Sequence, residues 1–244
     1  VIPAIAADLD ERQRIALLAP DAFGWYAWTL WQNEMPYLQS LHASRSVILE
    51  SVMPSITPVN FAAMVTGTDL EGHGVRTYDH DFRCETLFDV IRRAGGRSAA
   101  VGFDGYTGSK LLARYADIDG TTKGDTDDEI VAKVVEVADQ HGPMFIIAQL
   151  GRVDDVFHQF GPSSPEVVPM LRDTDARLRR LSEHLVPLGY GVIVLADHGQ
   201  HEKGGESARE REGRSGSVGD PGGQAAGRGR AGRDWRSRCL GRGG

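Results

Sequence analysis

Short, uninterrupted apolar runs alternate along this chain with longer stretches in which apolar residues recur every three or four positions. Five runs stand out, at 15–19, 46–49, 98–103, 144–150 and 191–196, each bounded by Gly, Pro or charged residues and most of them rich in Val or Ile. A run that is apolar throughout, rather than at alternate positions, predicts a strand buried on both faces, as in a parallel sheet. Between the runs, 127–141 carries Ile130, Val131, Val134, Val135 and Ala138 at helical spacing behind an acidic start, Asp125-Thr126-Asp127-Asp128. The stretch 165–185 repeats the pattern with Val168, Leu171, Leu178, Leu181 and Leu185 under an Arg-rich outer surface. Strands alternating with helices of this length predict an α/β three-layer sandwich around a mostly parallel central sheet.

The pattern stops after His201, where Gly, Arg, Ser and Glu take over with almost no apolar residue before Trp235 and Leu240. The expected organisation is one domain over 1–202 and a Gly/Arg-rich tail over 203–244, too poor in apolar surface to offset the entropy of ordering it. Charge divides at the same place: the net charge is −7, yet from Glu202 onward ten basic residues face six acidic ones. An acidic body argues against a nucleic-acid-coating surface. The tail reads either as a change of reading frame in a GC-rich coding segment or as an appendage that binds RNA or another polyanion. No apolar run approaches the roughly 20 residues of a bilayer span. Cys84 and Cys239 lack any metal-binding spacing, and residues 1–14 lack a basic segment followed by an apolar one. The expectation is a reducing, cytoplasmic location.

In α/β folds ligands gather beyond the carboxyl ends of the strands. Asp21, Asp154 and Asp197 each follow a predicted strand, so three acids are expected at one sheet edge. Taken singly, each element has a bland reading. Asp21, in Pro20-Asp21-Ala22-Phe23-Gly24, suits a turn former; Thr57, in Pro54-Ser55-Ile56-Thr57-Pro58-Val59-Asn60, suits a helix N-cap. The sharper reading gives the helix N-terminus to a phosphoryl oxygen while Thr57 attacks phosphorus, with Asn60 one turn on to donate to a non-bridging oxygen. Asp154 and His158, four apart, can converge on one divalent ion, and their donors suit zinc or manganese. Asp197-His198-Gly199 follows the apolar Val192-Ile193-Val194-Leu195, where burying an acid without a cation is costly.

The four elements in this order resemble the alkaline phosphatase superfamily, in particular its type I phosphodiesterase and nucleotide pyrophosphatase branch. Met64-Val65-Thr66-Gly67, Gly72-His73-Gly74-Val75 and Glu85-Thr86-Leu87-Phe88 match the same framework, so the resemblance covers roughly 14–201. It implies a phosphodiesterase or pyrophosphatase acting on a small phosphate ester through a phosphothreonine on Thr57. It also implies two divalent ions, usually zinc: Asp21, Thr57, Asp197 and His198 on one, Asp154 and His158 on the other. Ser55 is the rival nucleophile, but Thr57 keeps the spacing to Asn60. No Cys/Ser-x-Pro-x-Arg setting suggests a sulfatase, and Thr in place of Ser argues against a phosphoglycerate mutase. The family supplies a further histidine to the second ion from a later His-Gly motif, whereas His201 is the last histidine here. That departure keeps a second expectation open, an impaired homologue that binds metal or phosphate without full turnover.

Overall fold

The computed structural model of the protein describes residues 14–202, so the expectations for the tail lie outside the described residues. Five parallel strands form one sheet: β1 (Arg14–Pro20), β2 (Ser98–Phe103), β3 (Ile118–Thr122), β4 (Phe145–Leu150) and β5 (Tyr190–Val194), in the order β3-β2-β4-β1-β5. The helices are α1 (Trp25–Trp31), α2 (Pro36–Ser44), α3 (Thr57–Thr66), α4 (Leu70–His73), α5 (Leu87–Arg93), α6 (Asp127–His141), α7 (Arg152–Phe160) and α8 (Val168–Leu185).

The period of two along each strand divides the core. Ala16, Leu18, Val101, Ile146 and Ala148 face one side with Ile130, Val134, Leu171 and Leu178 of α6 and α8. Ile15, Leu17, Ala100, Phe145 and Ile147 face the other with Phe61 and Val65 of α3 and Phe88 of α5. The expected three-layer α/β sandwich is what forms. Each fully buried Leu or Ile contributes about 1.5–3 kcal/mol relative to an exposed one, so the sheet's two faces carry the fold.

Local signals explain several boundaries. Helix α5 opens with a capping box in which the Thr86 N–H donates to Asp89 Oδ2 at 2.9 Å and the Asp89 N–H donates to Thr86 Oγ1 at 3.3 Å. Helix α3 ends at Gly67, whose φ of 70° is the left-handed C-terminal turn that glycine adopts without a Cβ penalty. No helix among the described residues is long and apolar enough to cross a membrane.

Three expectations need correction. Residues 46–49 are not a strand: Ile48 makes only an isolated bridge, and Val47 is 55% exposed. Three apolar residues without a sheet neighbour cannot hold a ladder, and they serve instead as part of the lead-in to α3. Strand β3 was not anticipated, because Ile118-Asp119-Gly120-Thr121-Thr122 offers a single large apolar side chain. As an edge strand it needs only one buried flank. The stretch from 165 starts with a short 3₁₀ turn, Pro165–Val167, before α8 begins.

Helix α6 begins on a buried carboxylate, Asp127, which is 1% exposed. Neither of its oxygens makes a well-formed hydrogen bond. Desolvation pushes its pKa up to about 6, and the Arg177 guanidinium with the Gly151 and Arg152 N–H groups offsets only part of that. A carboxyl raised in the folded state stabilises the fold below the unfolded pKa, and that contribution is lost as pH rises through about 6. Asp127→Asn is therefore expected to stabilise the protein at pH 7–8 by up to about 3 kcal/mol and to flatten the stability profile between about pH 4 and 7. Thermal melts across that range check it, and an unchanged profile would contradict the assignment.

Candidate active site

Parallel pairing brings the ends of β1, β4 and β5 side by side. Leu18 lies beside Val194 and Ala19 beside Gln149, so the residues that follow each strand emerge at one edge. Asp21 leaves β1 in a tight turn in which Ala22 adopts a φ of 59°, and Asp197 and His198 follow β5 within a few residues. All three are buried, and one donor atom from each lies within 4.8 Å of the others. Asp197 Oδ1 accepts the Ala22 N–H at 3.1 Å, which locks the two loops together. Its Oδ2 is buried without a hydrogen-bond partner and lies 3.4 Å from His198 Nε2.

Thr57 completes the cluster from the opposite layer. Its Oγ1 stands 3.1 Å from His198 Nε2 and 3.5 Å from Asp21 Oδ1. The expected N-cap position is corrected by one residue: Ile56, extended at φ −132° and ψ 153°, is the cap, and Thr57 is the first helical residue. The side chain therefore need not turn back to cap the helix and is free to face the sheet edge.

Asn60 is buried inside α3, with Oδ1 accepting the Val52 N–H at 2.8 Å and Nδ2 donating to the Val52 and Ile56 carbonyls at 3.2 Å each. Both amide protons are engaged in shaping the loop that leads to Thr57. Asp154 sits on the first turn of α7, with His158 one turn on at 3.4 Å. The Asp154 carboxylate accepts from Gln200 Nε2, while the His158 side chain is 66% exposed. Among the described residues the structure thus gathers Asp21, Thr57, Asp197 and His198 tightly, with Asp154 largely buried near them and the His158 side chain exposed at the rim.

The electrostatics fit an unscreened anionic pocket. Burial holds the Asp21 carboxyl well above the ordinary range, and the charges of Asp197 and Asp154 push it further. Burial likewise raises Asp154, opposed by His158 and His198. Gln149 is a site residue the sequence reading missed: its Nε2 donates to Asp21 Oδ2 from β4. A polar amide inside the apolar run Phe145-Ile146-Ile147-Ala148-Gln149-Leu150 is the signal that could have found it. Lys110 and Arg114 pair with the surface carboxylates of Asp104 and Asp81.

Comparison with known proteins gives the same frame. Human GPI ethanolamine phosphate transferase 2, catalytic subunit, is 26% identical over 192 residues, covering 72% of this chain and 19% of its own length. An inactive threonine-to-alanine form of murine ectonucleotide pyrophosphatase/phosphodiesterase 5, in complex with AMP, superposes with a TM-score of 0.62 at 20% identity. That match spans 78% of this chain and 57% of the murine one. Phosphonoacetate hydrolase of Sinorhizobium meliloti 1021 gives a TM-score of 0.61 at 21% identity, over 80% of this chain and 58% of the other. At such identities the superpositions show a shared fold. The chain spans less than three fifths of each of these relatives. Residues 15–84 and 76–203 match the profile of the type I phosphodiesterase / nucleotide pyrophosphatase family, and the chain belongs to that family.

Proposed function

We propose that this chain carries the reaction centre of a metal-dependent phosphoesterase that cleaves phosphodiester or pyrophosphate bonds through a phosphothreonine on Thr57. The observation that carries the reading is the placement of the Thr57 hydroxyl within 3.1–3.5 Å of His198 and Asp21, beside an Asp197 oxygen buried without a partner. A buried anionic oxygen left unpaired costs several kcal/mol unless a cation meets it, so the donor set fits a divalent ion. Asp21, Asp197 and His198 would hold that ion, with Thr57 beside it. Two carboxylates and an imidazole suit zinc, with manganese the competitor. When bound, such an ion lowers the pKa of a neighbouring hydroxyl and neutralises charge on phosphoryl oxygens.

The chain's own groups do the rest. His198 Nδ1 lies 3.2 Å from the Gly199 carbonyl; donating there leaves Nε2 with its lone pair toward the site. The Thr57 hydroxyl proton has Asp21 Oδ1 and His198 Nε2 as acceptors. Attack by Oγ1 forms the threonine O–P bond as the leaving-group O–P bond breaks. The first turn of α3 presents backbone N–H groups and its positive dipole end to the phosphoryl oxygens. Water then attacks phosphorus from the opposite side, releasing the phosphate product and restoring the threonine. Asn60 acts through Thr57, by holding the Val52–Ile56 loop. Asp154 and His158 supply two ligands for a second ion at the rim. The AMP bound to the murine neighbour supports a small phosphate ester as the substrate class.

Hydrolysis of a chromogenic phosphodiester tests the reading. Turnover should depend on added zinc or manganese, vanish with a chelator and return on repletion. Zinc analysis counts the sites: close to two equivalents supports the complete centre, and one supports a single-ion protein. A chelator-resistant rate would remove the metal from the proposal.

A further inference from the structure

The buried amide of Gln149 has two partners, and each fixes its orientation toward the other. The Gly108 N–H donates to Oε1 at 2.7 Å, so Nε2 faces Asp21 and donates to Oδ2. Exchanging the two amide ends would set an N–H group against an N–H and a carbonyl oxygen against a carboxylate, two repulsive contacts in a site 1% exposed. The turn that supplies Gly108 is built for this approach. A Cβ at Gly108 would come within 2.9 Å of the Val101 carbonyl and 3.2 Å of Gln149 Oε1, and one at Gly102 would meet Gly108 Cα at 2.9 Å. Two facing glycines therefore let a backbone N–H reach an amide on the neighbouring strand.

We infer that Gln149 is a positioning residue for Asp21, set by the Gly108 turn so that one carboxylate oxygen is occupied and the other is presented to Thr57 and His198. Asp21 Oδ1 lies 3.5 Å from both Thr57 Oγ1 and His198 Nε2, while Oδ2 is held by the amide. A carboxylate free to rotate would share its two oxygens between the site and the interior, and would pay ordering entropy each time it took up a cation. Pinning one oxygen removes that cost before the ion arrives. The inference rests on the metal reading of Asp21 and goes beyond it by assigning the residue that orients the ligand.

Zinc affinity of the full chain, measured by competition with a chromogenic chelator, tests it. Gln149→Met keeps the volume but not the donor, and Gln149→Asn is one methylene too short to span Gly108 and Asp21 together. Both should bind zinc about 10- to 100-fold more weakly than the unmodified protein, the usual effect of removing a partner that orients a metal ligand. Val134→Ala, on the core-facing side of α6, lowers thermal stability without touching the site. It should leave zinc affinity unchanged, which separates positioning from general loosening. Wild-type affinity in both Gln149 variants would overturn the inference. Asp21→Asn distinguishes the two levels: if it binds zinc normally, the metal reading falls and this inference with it. If it weakens binding while the Gln149 variants do not, the positioning role alone falls.

Discussion

Thr57→Ala is expected to lower phosphodiester turnover by at least about 10⁴-fold, the scale on which removal of a catalytic nucleophile acts. The fold should be untouched. The hydroxyl contacts only the site, and the residues that shape α3 around it, Val59, Asn60 and Phe61, remain in place. Stability should shift by less than about 1 kcal/mol, as for other changes that leave core and caps alone. Thr57→Ser, which retains the hydroxyl, should keep a measurable part of the rate. Acid-quenched wild-type protein taken during turnover should carry a phosphoryl group on the peptide containing Thr57, absent from the alanine variant. Undiminished turnover in Thr57→Ala would remove the nucleophile assignment.

Asp197→Asn should separate two properties that usually move together. An asparagine Oδ1 can still accept the Ala22 N–H that Asp197 accepts at 3.1 Å, so the loop lock survives. The charge does not, and that charge is among the causes that raise Asp21. Without metal the variant should be more stable than the unmodified protein at neutral pH, because the repulsion that opposes ionisation of Asp21 is relieved. With zinc at about 100 times the dissociation constant, the unmodified protein should gain about 2.7 kcal/mol, and the variant little or none. Paired melts with zinc and with chelator read both effects. A variant that is both less stable without metal and equally stabilised by zinc would contradict the role given to Asp197.

Most of the architecture was legible because four of the five strands are apolar at nearly every position, which a sheet covered on both faces demands. Helix α6 was readable to its end residues, since Ile130, Val134 and Ala138 alternate with charge at a single period and Gly142 stops it in a left-handed turn. β3 was not, because at the sheet edge Asp119 and Thr121 face solvent and erase the signal. The reverse error at 46–49 arose because local composition cannot say whether a sheet neighbour exists. In the site, the meeting of Asp21 and Asp197 was legible from strand ends that the topology brings to one edge, whereas grouping Thr57 and His198 with them rested on the family resemblance. The geometry of Asn60 was not, since sequence spacing places an amide but does not say whether a nearer carbonyl claims it. Gln149 was missed for a related reason. Its meaning depends on Asp21 and Gly108, which neighbour it only across strands.

Strand order has a kinetic consequence. Among the described residues the earliest strand in the sequence, β1, lies between β4 and β5, the two latest. Ala22 and Asp197, whose contact closes the site, are separated by 175 positions in the sequence. Such non-local parallel pairing raises contact order and slows folding. During synthesis β1 must wait for both of its partners, β4 and β5, to leave the ribosome. The acids that would grip a cation then meet only when β5 zips onto β1. Metal uptake in this protein would therefore follow the pairing of β5 with β1, and a zinc-responsive fluorophore followed during refolding would time it.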